Sequence, residues 1–193
     1  MEPSEKIIRR LKESADIKKR ILEDKSIVDM ISKVAEEIVK AFQRGNKVLL
    51  CGNGGSAADA QHIAAELSGR FYKDRKPLFA EALHVNTSYL TAVANDYSYE
   101  EVFSRLVLAK GRNGDILIGI STSGNSKNII KAIQTAKDLG MITIGLLGGN
   151  GGQLKELCDL NIVVPSNDVA RIQEAHITIG HIICEIVEEE LFG

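Results

Sequence analysis

A run of small hydroxyl residues follows an apolar segment in the middle of the chain. The run is Ser-Thr-Ser-Gly-Asn-Ser at 121–126, called the hydroxyl loop below, and the apolar segment occupies 116–120. Hydroxyl groups donate hydrogen bonds, a glycine lets backbone N–H groups approach a ligand, and a following helix adds the positive end of its dipole. The pattern therefore predicts a phosphate site. An ordinary N-cap turn is the alternative, because Ser and Asn are favoured there without any ligand.

A second turn, the glycine turn at 52–56, follows another apolar segment and has the sequence Gly-Asn-Gly-Gly-Ser. It is not a dinucleotide fingerprint, because Ala57 stands where the third glycine is required, and it lacks the lysine of a Walker A loop. The turn therefore favours a phosphosugar over a nucleotide.

Two predicted helices carry side chains suited to metal binding or proton transfer. His62 and Glu66 are four residues apart and share one helix face, and the last helix carries Gln173, His176 and His181. Nitrogen and oxygen ligands without a thiolate suit Zn²⁺ or another divalent first-row metal, and the same groups can move protons. Spacing alone favours the simpler interpretation, a surface pair on one helix and packed histidines on the other.

Three more polar residues each have two interpretations. Asn95 and Asp96 close a predicted helical segment, where they either form a turn or bind sugar hydroxyls. Arg171 begins the last helix as a phosphate ligand or as a solvated charge, and we favour the solvated charge.

Apolar and amphipathic segments alternate along the chain and must position these residues. Predicted strands occupy 47–52, 79–85, 115–120, 142–147 and 161–165; predicted helices occupy the first forty-odd residues up to Gly45, then 56–68, 88–111, 127–140, a short segment after 152, and 169–191. This order predicts an α/β fold with a doubly wound, five-stranded parallel sheet flanked by helices. Ligands bind such sheets at the carboxyl ends of the strands, where the hydroxyl loop and the glycine turn both emerge.

Length and composition restrict the class of protein. The 193 residues predict one domain, 1–193, made of a helical segment at 1–45 and an α/β core with a C-terminal helix at 46–193. A net charge of −2 with dispersed Lys and Arg argues against a nucleic-acid partner, and no apolar run predicts a membrane span or a signal peptide. Cys51, Cys158 and Cys184 lie far apart in apolar surroundings, which predicts a reduced, cytoplasmic protein.

Six motifs, taken in their order along the chain, resemble those of the phosphoheptose isomerases (sedoheptulose-7-phosphate isomerases) of the sugar isomerase (SIS) domain superfamily. They lie at 51–56, 59–62, 66–70, 95–96, 121–126 and 171–176. The resemblance covers nearly the whole chain. The hydroxyl loop marks the superfamily, whereas His62, Glu66, Gln173 and His181 mark the isomerase more narrowly.

The resemblance implies an aldose–ketose isomerase that converts sedoheptulose 7-phosphate to D-glycero-D-manno-heptose 7-phosphate through an enediol(ate), in ADP- or GDP-heptose biosynthesis. It implies a homotetramer with active sites at subunit contacts, where the N-terminal helices join the last helix in a bundle. It implies one Zn²⁺ per subunit, held by His62, Glu66, Gln173 and His181, with Glu66 and His181 as the acid–base pair. The implied substrate contacts are Asn53, Gly54, Gly55, Ser56, Glu66, Asn95, Asp96, Ser121, Thr122, Ser123, Ser126 and Gln173.

One residue departs from the family pattern, since Val169 stands where many relatives carry a Thr. If that hydroxyl contacts the substrate in the relatives, one contact is missing here. A different function is a non-catalytic SIS protein that acts by protein contact, like the DnaA initiator-associating protein. Glu66 and His181 favour the enzyme, because those relatives lack the acid and the histidine at these positions. Another SIS phosphosugar enzyme, such as an arabinose-phosphate isomerase, is disfavoured by the short length and the absence of a regulatory domain.

Overall fold

The computed structural model describes residues 2–193, and this part of the chain forms a five-stranded sheet covered by helices on both faces. The helices are α1 Pro3–Glu23, α2 Lys25–Gln43, α3 Gly55–Ser68, α4 Thr87–Asp96, α5 Val102–Lys110, α6 Lys127–Asp138, α7 Leu154–Leu157 and α8 Val169–Phe192, with a 3₁₀ turn at Tyr99–Glu101. The strands are β1 Val48–Gly52, β2 Ala80–Ala82, β3 Ile116–Ser121, β4 Ile142–Gly148 and β5 Leu160–Val164.

All neighbouring strands are parallel, in the order β2-β1-β3-β4-β5. The strand order reverses between β1 and β3, which makes their carboxyl ends the topological switch point where such sheets bind ligands. The glycine turn follows β1 and the hydroxyl loop follows β3, so the two predicted binding turns are neighbours. The predicted fold class is confirmed.

Strand residues alternate between two apolar layers, because successive side chains point to opposite faces. Val48 and Leu50 pack with α1, α2, α3 and α8, whereas Leu49 and Cys51 pack with α4, α5, α6 and α7. The two helices with predicted catalytic residues, α3 and α8, therefore lie together on one face of the sheet.

The N-terminal helical segment is two helices joined at one residue. Asp24 ends α1, and its carboxylate then caps α2 by accepting from the N–H groups of Ser26 at 3.0 Å and Ile27 at 3.4 Å. Both helices pack against α8 within the same chain. In the described residues, no helix combines the length and apolarity needed to cross a bilayer.

The second strand is much shorter than predicted. The apolar segment 79–85 predicted a strand throughout, but only Ala80–Ala82 pairs with β1. β2 lies at the sheet edge, and Leu83 makes one last bond to β1 through its N–H to the Leu50 carbonyl at 2.9 Å. The chain then turns towards α4, and Val85 is exposed.

Candidate active site

Three side chains from α3 and α8 converge on one point. His62 Nε2 lies 3.0 Å from Glu66 Oε1 and 3.2 Å from His181 Nε2. One turn of α3 separates His62 from Glu66, whereas His181 reaches them from α8 across a tertiary contact. The two imidazole rings meet edge to face with centroids 4.9 Å apart.

The chemistry of this cluster fits a divalent metal. One ligand atom from each of His62, Glu66 and His181 lies within 4.8 Å of the others. Two imidazole nitrogens and one carboxylate oxygen form the type of donor set that Zn²⁺ accepts, with at least one position left for another ligand. The amide of Gln173 lies beside the backbone of Gly55, where an added Cβ would collide with it. Gln173 therefore reaches the start of α3, about two turns before His62.

The hydroxyl loop is a compact turn with inward-facing oxygens. Ser121 Oγ lies 3.1 Å from Ser126 Oγ and also accepts from the N–H of Gly124 at 3.1 Å. Ser126 is the N-cap of α6 but makes no side-chain capping bond, so the N–H groups of Lys127 and Asn128 stay available to an anion, whereas that of Ile129 donates to Asn128 Oδ1 at 3.0 Å. Gly124 has a φ of +65°, and an added Cβ would collide with the carbonyl of Gly151.

An amide pair joins the glycine turn to the helix behind the hydroxyl loop. Asn53 and Asn128 each donate from Nδ2 to the Oδ1 of the other at 2.9 Å, and Tyr99 donates its hydroxyl hydrogen to Asn53 Oδ1 at 3.2 Å. Asn128 is 4% exposed and Ser56 is 3% exposed, so the base of the cleft between β1 and β3 is well packed. The two binding turns are thereby held in a fixed relation to each other.

The comparisons with known proteins agree with this geometry. The sequence model of the SIS domain matches residues 11–148. The phosphoheptose isomerase of Clostridium acetobutylicum is 56% identical over 183 residues, 95% of this chain and 93% of the relative. Phosphoheptose isomerase 2 of Campylobacter jejuni is 58% identical over 177 residues, 92% of this chain and 88% of the relative. The chain belongs to the SIS domain family of phosphoheptose isomerases.

Solved structures of the family superpose on nearly the whole chain. The phosphoheptose isomerase of Neisseria gonorrhoeae has a TM-score of 0.91 at 41% identity and covers 96% of this chain and 98% of its own. The phosphoheptose isomerase of Francisella tularensis has a TM-score of 0.94 at 38% identity and covers 98% of this chain and 100% of its own. The predicted family and enzyme class, a phosphosugar isomerase, are confirmed.

Asn95, Asp96 and Val169 were also singled out by the family resemblance. Asn95 and Asp96 end α4, are exposed, and hydrogen-bond to each other at 2.9 Å between Asn95 Nδ2 and Asp96 Oδ1. Val169 is 53% exposed and lines a cavity of about 350 Å³ together with Thr122 and Ser123 of the hydroxyl loop. The apolar Val169 side chain thus borders the predicted phosphate site without offering it a hydroxyl.

Two candidates from the last helix have structural roles instead. His176 is completely buried, and its Nε2 donates to the carbonyl of Leu147 at 2.9 Å, so it belongs to the core rather than to the metal cluster. Our preference for Arg171 as a solvated charge was wrong. Its side chain is 13% exposed and joins α8 to α1 by donating to the carbonyl of Arg10 at 2.8 Å, while it also pairs with Glu174. Helical periodicity places both residues on α8 but does not identify these partners.

Residues that the sequence interpretation missed surround the cluster. Asp59 lies one turn before His62 on α3 and has one carboxylate oxygen buried without a partner. Burial raises the pKa of Asp59 to about 6, although nearby His62 lowers it. The ring of Phe71 lies 5.7 Å from the ring of His181. The i,i+3 spacing of Asp59 and His62 was a usable signal in the sequence, whereas the Phe71 contact depends on the fold.

Proposed function

We propose that this protein interconverts sedoheptulose 7-phosphate and D-glycero-D-manno-heptose 7-phosphate, for ADP- or GDP-heptose biosynthesis in the cytoplasm. The observation that carries the proposal is the convergence of His62, Glu66 and His181 from two helices, of which α3 begins at the glycine turn after β1. The relatives named phosphoheptose isomerase, at 56% and 58% identity, support the same substrate.

The phosphate end of the substrate would bind between the two turns. The hydroxyls of Ser56, Ser121, Thr122, Ser123 and Ser126 and the first-turn N–H groups of α6 are the proposed donors. This grip lies away from the reacting carbons, so its binding energy serves to orient the sugar. Asn53, Gly54, Gly55, Asn95, Asp96 and Gln173 are the proposed contacts to the sugar chain.

Isomerisation requires a proton to leave the carbon beside a carbonyl and a proton to arrive at the neighbouring carbon. Glu66 is the proposed base and His181 the proposed acid, and both lie within reach of one small ligand because each contacts His62. Gln173 cannot titrate, so it would bind or orient. One Zn²⁺ per subunit, held by His62, Glu66 and His181, would supply polarisation of the carbonyl and stabilisation of the developing oxyanion. The family resemblance implies Gln173 as a fourth ligand, but in this chain its amide lies at Gly55, about two turns of α3 from His62.

The test is direct conversion of the substrate. Purified protein is incubated with sedoheptulose 7-phosphate, with Zn²⁺ or with a chelator, and the heptose 7-phosphate product is followed by NMR. Glu66→Gln and His181→Gln should each lose at least ~100-fold in kcat, the usual size of an acid–base contribution. Glu189→Gln, the same chemical change at an exposed position of α8, is the matched control. Near-normal turnover in both site variants would refute the assignment, and no product from zinc-loaded wild type would favour a binding protein instead.

We also propose that the protein assembles as a homotetramer through the face formed by α1, α2 and α8. Its support is a groove of about 370 Å³ lined mainly by apolar side chains of these helices, among them Ile21, Ile31 and Ile179. Leu22 beside it is 75% exposed, and Leu11 on α1 is 66% exposed. Apolar exposure on this scale is typical of an interface. Sedimentation analysis should give a tetramer for wild type and smaller species for Leu22→Glu, and a monomeric wild type would refute this proposal.

A further inference from the structure

A buried carboxylate on α8 accepts several hydrogen bonds from the segment that follows α3. Glu188 accepts from the backbone N–H groups of Phe71 at 3.0 Å, Tyr72 at 2.7 Å and Lys73 at 2.7 Å. It also accepts from Nε of Arg75 at 2.9 Å. The Glu188 side chain is 2% exposed, so these four donors replace its water. Burial by itself would raise the pKa of Glu188, but the three backbone N–H groups and the Arg75 guanidinium outweigh it and hold that pKa below its ordinary value.

The partner guanidinium closes the end of α3. Arg75 donates from Nη1 to the carbonyl of Leu67 at 2.8 Å and to that of Gly69 at 3.1 Å. Its Nη2 donates to the carbonyl of Glu66 at 2.9 Å. The last carbonyls of a helix have no partner within the helix, and a cation there also complements the helix dipole. Arg75 therefore fixes the backbone of the residue that we propose as the base.

The same contacts reach the other proposed catalytic side chain. Glu188 follows His181 by seven residues, so the two lie on one face of α8 about two turns apart. One of the three backbone N–H groups that Glu188 accepts from belongs to Phe71, whose ring centroid lies 5.7 Å from that of His181. One ion pair is thus connected to the Glu66 backbone on α3 and to the His181 ring on α8.

A buried ion pair is a poor source of net stability, because desolvation offsets most of the attraction. Arg75 and Glu188 are 3% and 2% exposed, and all of the contacts described above go to α3, α8 or the segment 69–76 between α3 and β2. Fixed geometry is what such a pair supplies, and what it fixes here is the position of α3 relative to α8. These two helices carry His62, Glu66 and His181, the three side chains that could bind a metal.

We propose that Arg75 and Glu188 are positioning residues for the isomerase site, acting as a clamp that sets the separation of Glu66 and His181. This inference rests on the proposed function. The clamp touches neither the predicted phosphate donors nor the sugar contacts, with the backbone carbonyl of Glu66 as its one link to them. Its loss should therefore change turnover and metal affinity while leaving substrate binding largely intact.

The test compares Glu188→Gln and Arg75→Lys with wild type. Glu188→Gln keeps the shape of the side chain but leaves one acceptor oxygen. Arg75→Lys keeps the charge but loses the fork that reaches the carbonyls of Glu66, Leu67, Gly69 and Lys76. We expect each variant to lose at least ~10-fold in kcat and at least ~10-fold in Zn²⁺ affinity, as for other residues that orient metal ligands. KM for sedoheptulose 7-phosphate should stay within about twofold of wild type, since the phosphate donors are untouched. Zn²⁺ affinity is measured on metal-free protein by competition with a chromophoric chelator.

The control is Ile133→Val, a mild core change on α6 across the sheet, which should lower thermal stability without changing kcat or Zn²⁺ affinity. Folded Glu188→Gln and Arg75→Lys proteins with kcat and Zn²⁺ affinity within twofold of wild type would overturn the clamp. If Glu188→Gln does not fold, Arg75→Lys decides alone. A wild type without isomerase activity refutes the proposed function, and the Zn²⁺ affinities then decide the clamp. A wild type with neither property overturns both.

Discussion

His176 makes the stability of the fold sensitive to acid in a way that can be measured. The residue is completely buried, and since its Nε2 donates to the Leu147 carbonyl, the lone pair of its neutral ring lies on Nδ1, which has no partner. Protonation would place a charge on a completely buried ring whose second N–H has no protein acceptor. Burial accordingly lowers the pKa of His176 from 6.5 to about 4, although its bond to Leu147 acts in the opposite direction.

The size and sign of the effect follow from linkage between protonation and folding. The shift from 6.5 to about 4 corresponds to about 3 kcal/mol, at about 1.4 kcal/mol for each pKa unit. Because the folded pKa lies below the unfolded one, the unfolded chain binds the proton first. The contribution of His176 is therefore complete above pH 6.5 and is lost progressively as the pH falls to about 4.

The assay is urea unfolding of wild type and His176→Gln at one protein concentration and at several pH values between 7.5 and 4. Subtracting the free energies of unfolding of the two proteins cancels the contributions of the other titrating groups. Gln keeps a donor for Leu147 but cannot ionise. We expect wild type to lose about 3 kcal/mol relative to the variant between pH 7 and pH 4. Ile179→Val, one turn further along α8, should lower stability equally at every pH. A constant difference between wild type and His176→Gln would refute the reasoning.

Three further outcomes are expected. In metal-free protein, Asp59→Asn should raise the free energy of unfolding by about 1 kcal/mol above pH 6, after allowance for its partial exposure. Burial raises the pKa of Asp59 from 3.8 to about 6, so the cost of its charge grows as the pH rises between these two values and is complete above the higher one. Urea unfolding at pH 8 and pH 4 measures this, and the gain should vanish at pH 4. Gly124→Ala should cost at least ~1 kcal/mol and weaken inorganic phosphate binding by calorimetry, because Ala disfavours its φ of +65° and its Cβ meets the Gly151 carbonyl. Asn128→Asp should cost about 1–3 kcal/mol in thermal unfolding, because a carboxylate oxygen would then face Asn53 Oδ1.

Each of these three expectations has its own contradicting result. An Asp59→Asn protein that is equally stabilised at both pH values would show that burial of the charge is not the cause. Gly45→Ala, at another positive φ of +80° but with open space for the Cβ, is the control for Gly124, and it should leave phosphate binding unchanged. Equal phosphate binding in wild type and Gly124→Ala would contradict the role of the turn. Asn128→Asp with wild-type stability would mean that the amide pair with Asn53 contributes little.

The architecture was predictable because local patterns encode it. Five short apolar segments alternate with amphipathic ones, and only a parallel sheet covered on both faces buries all of them. The limit of this reasoning appears at 79–85, where the strand is confined to Ala80–Ala82. β1 continues to Gly52, but on the β2 side it pairs only through Val48–Leu50, because the chain leaves the sheet edge after Leu83 and turns towards α4.

Within the site, the sequence identified the side chains but not which of them contact each other. His62 and Glu66 share a turn, so their contact follows from helix geometry. Nothing in the spacing of α8 shows that His181 reaches them while His176 turns into the core. Arg171 was likewise expected in solvent, yet it joins α8 to α1.

The sequence by itself determined the element order, the fold class, the two binding turns and the family. Those features depend on residue types and short spacings, which local backbone geometry converts directly into structure. Only the tertiary structure decided that α3 and α8 meet with His62, Glu66 and His181 in contact, and that Arg75 and Glu188 hold them there. The physical reason is distance along the chain: Glu188 and Arg75 are 113 residues apart, and only the packing of both helices on one face of the sheet brings their charges together.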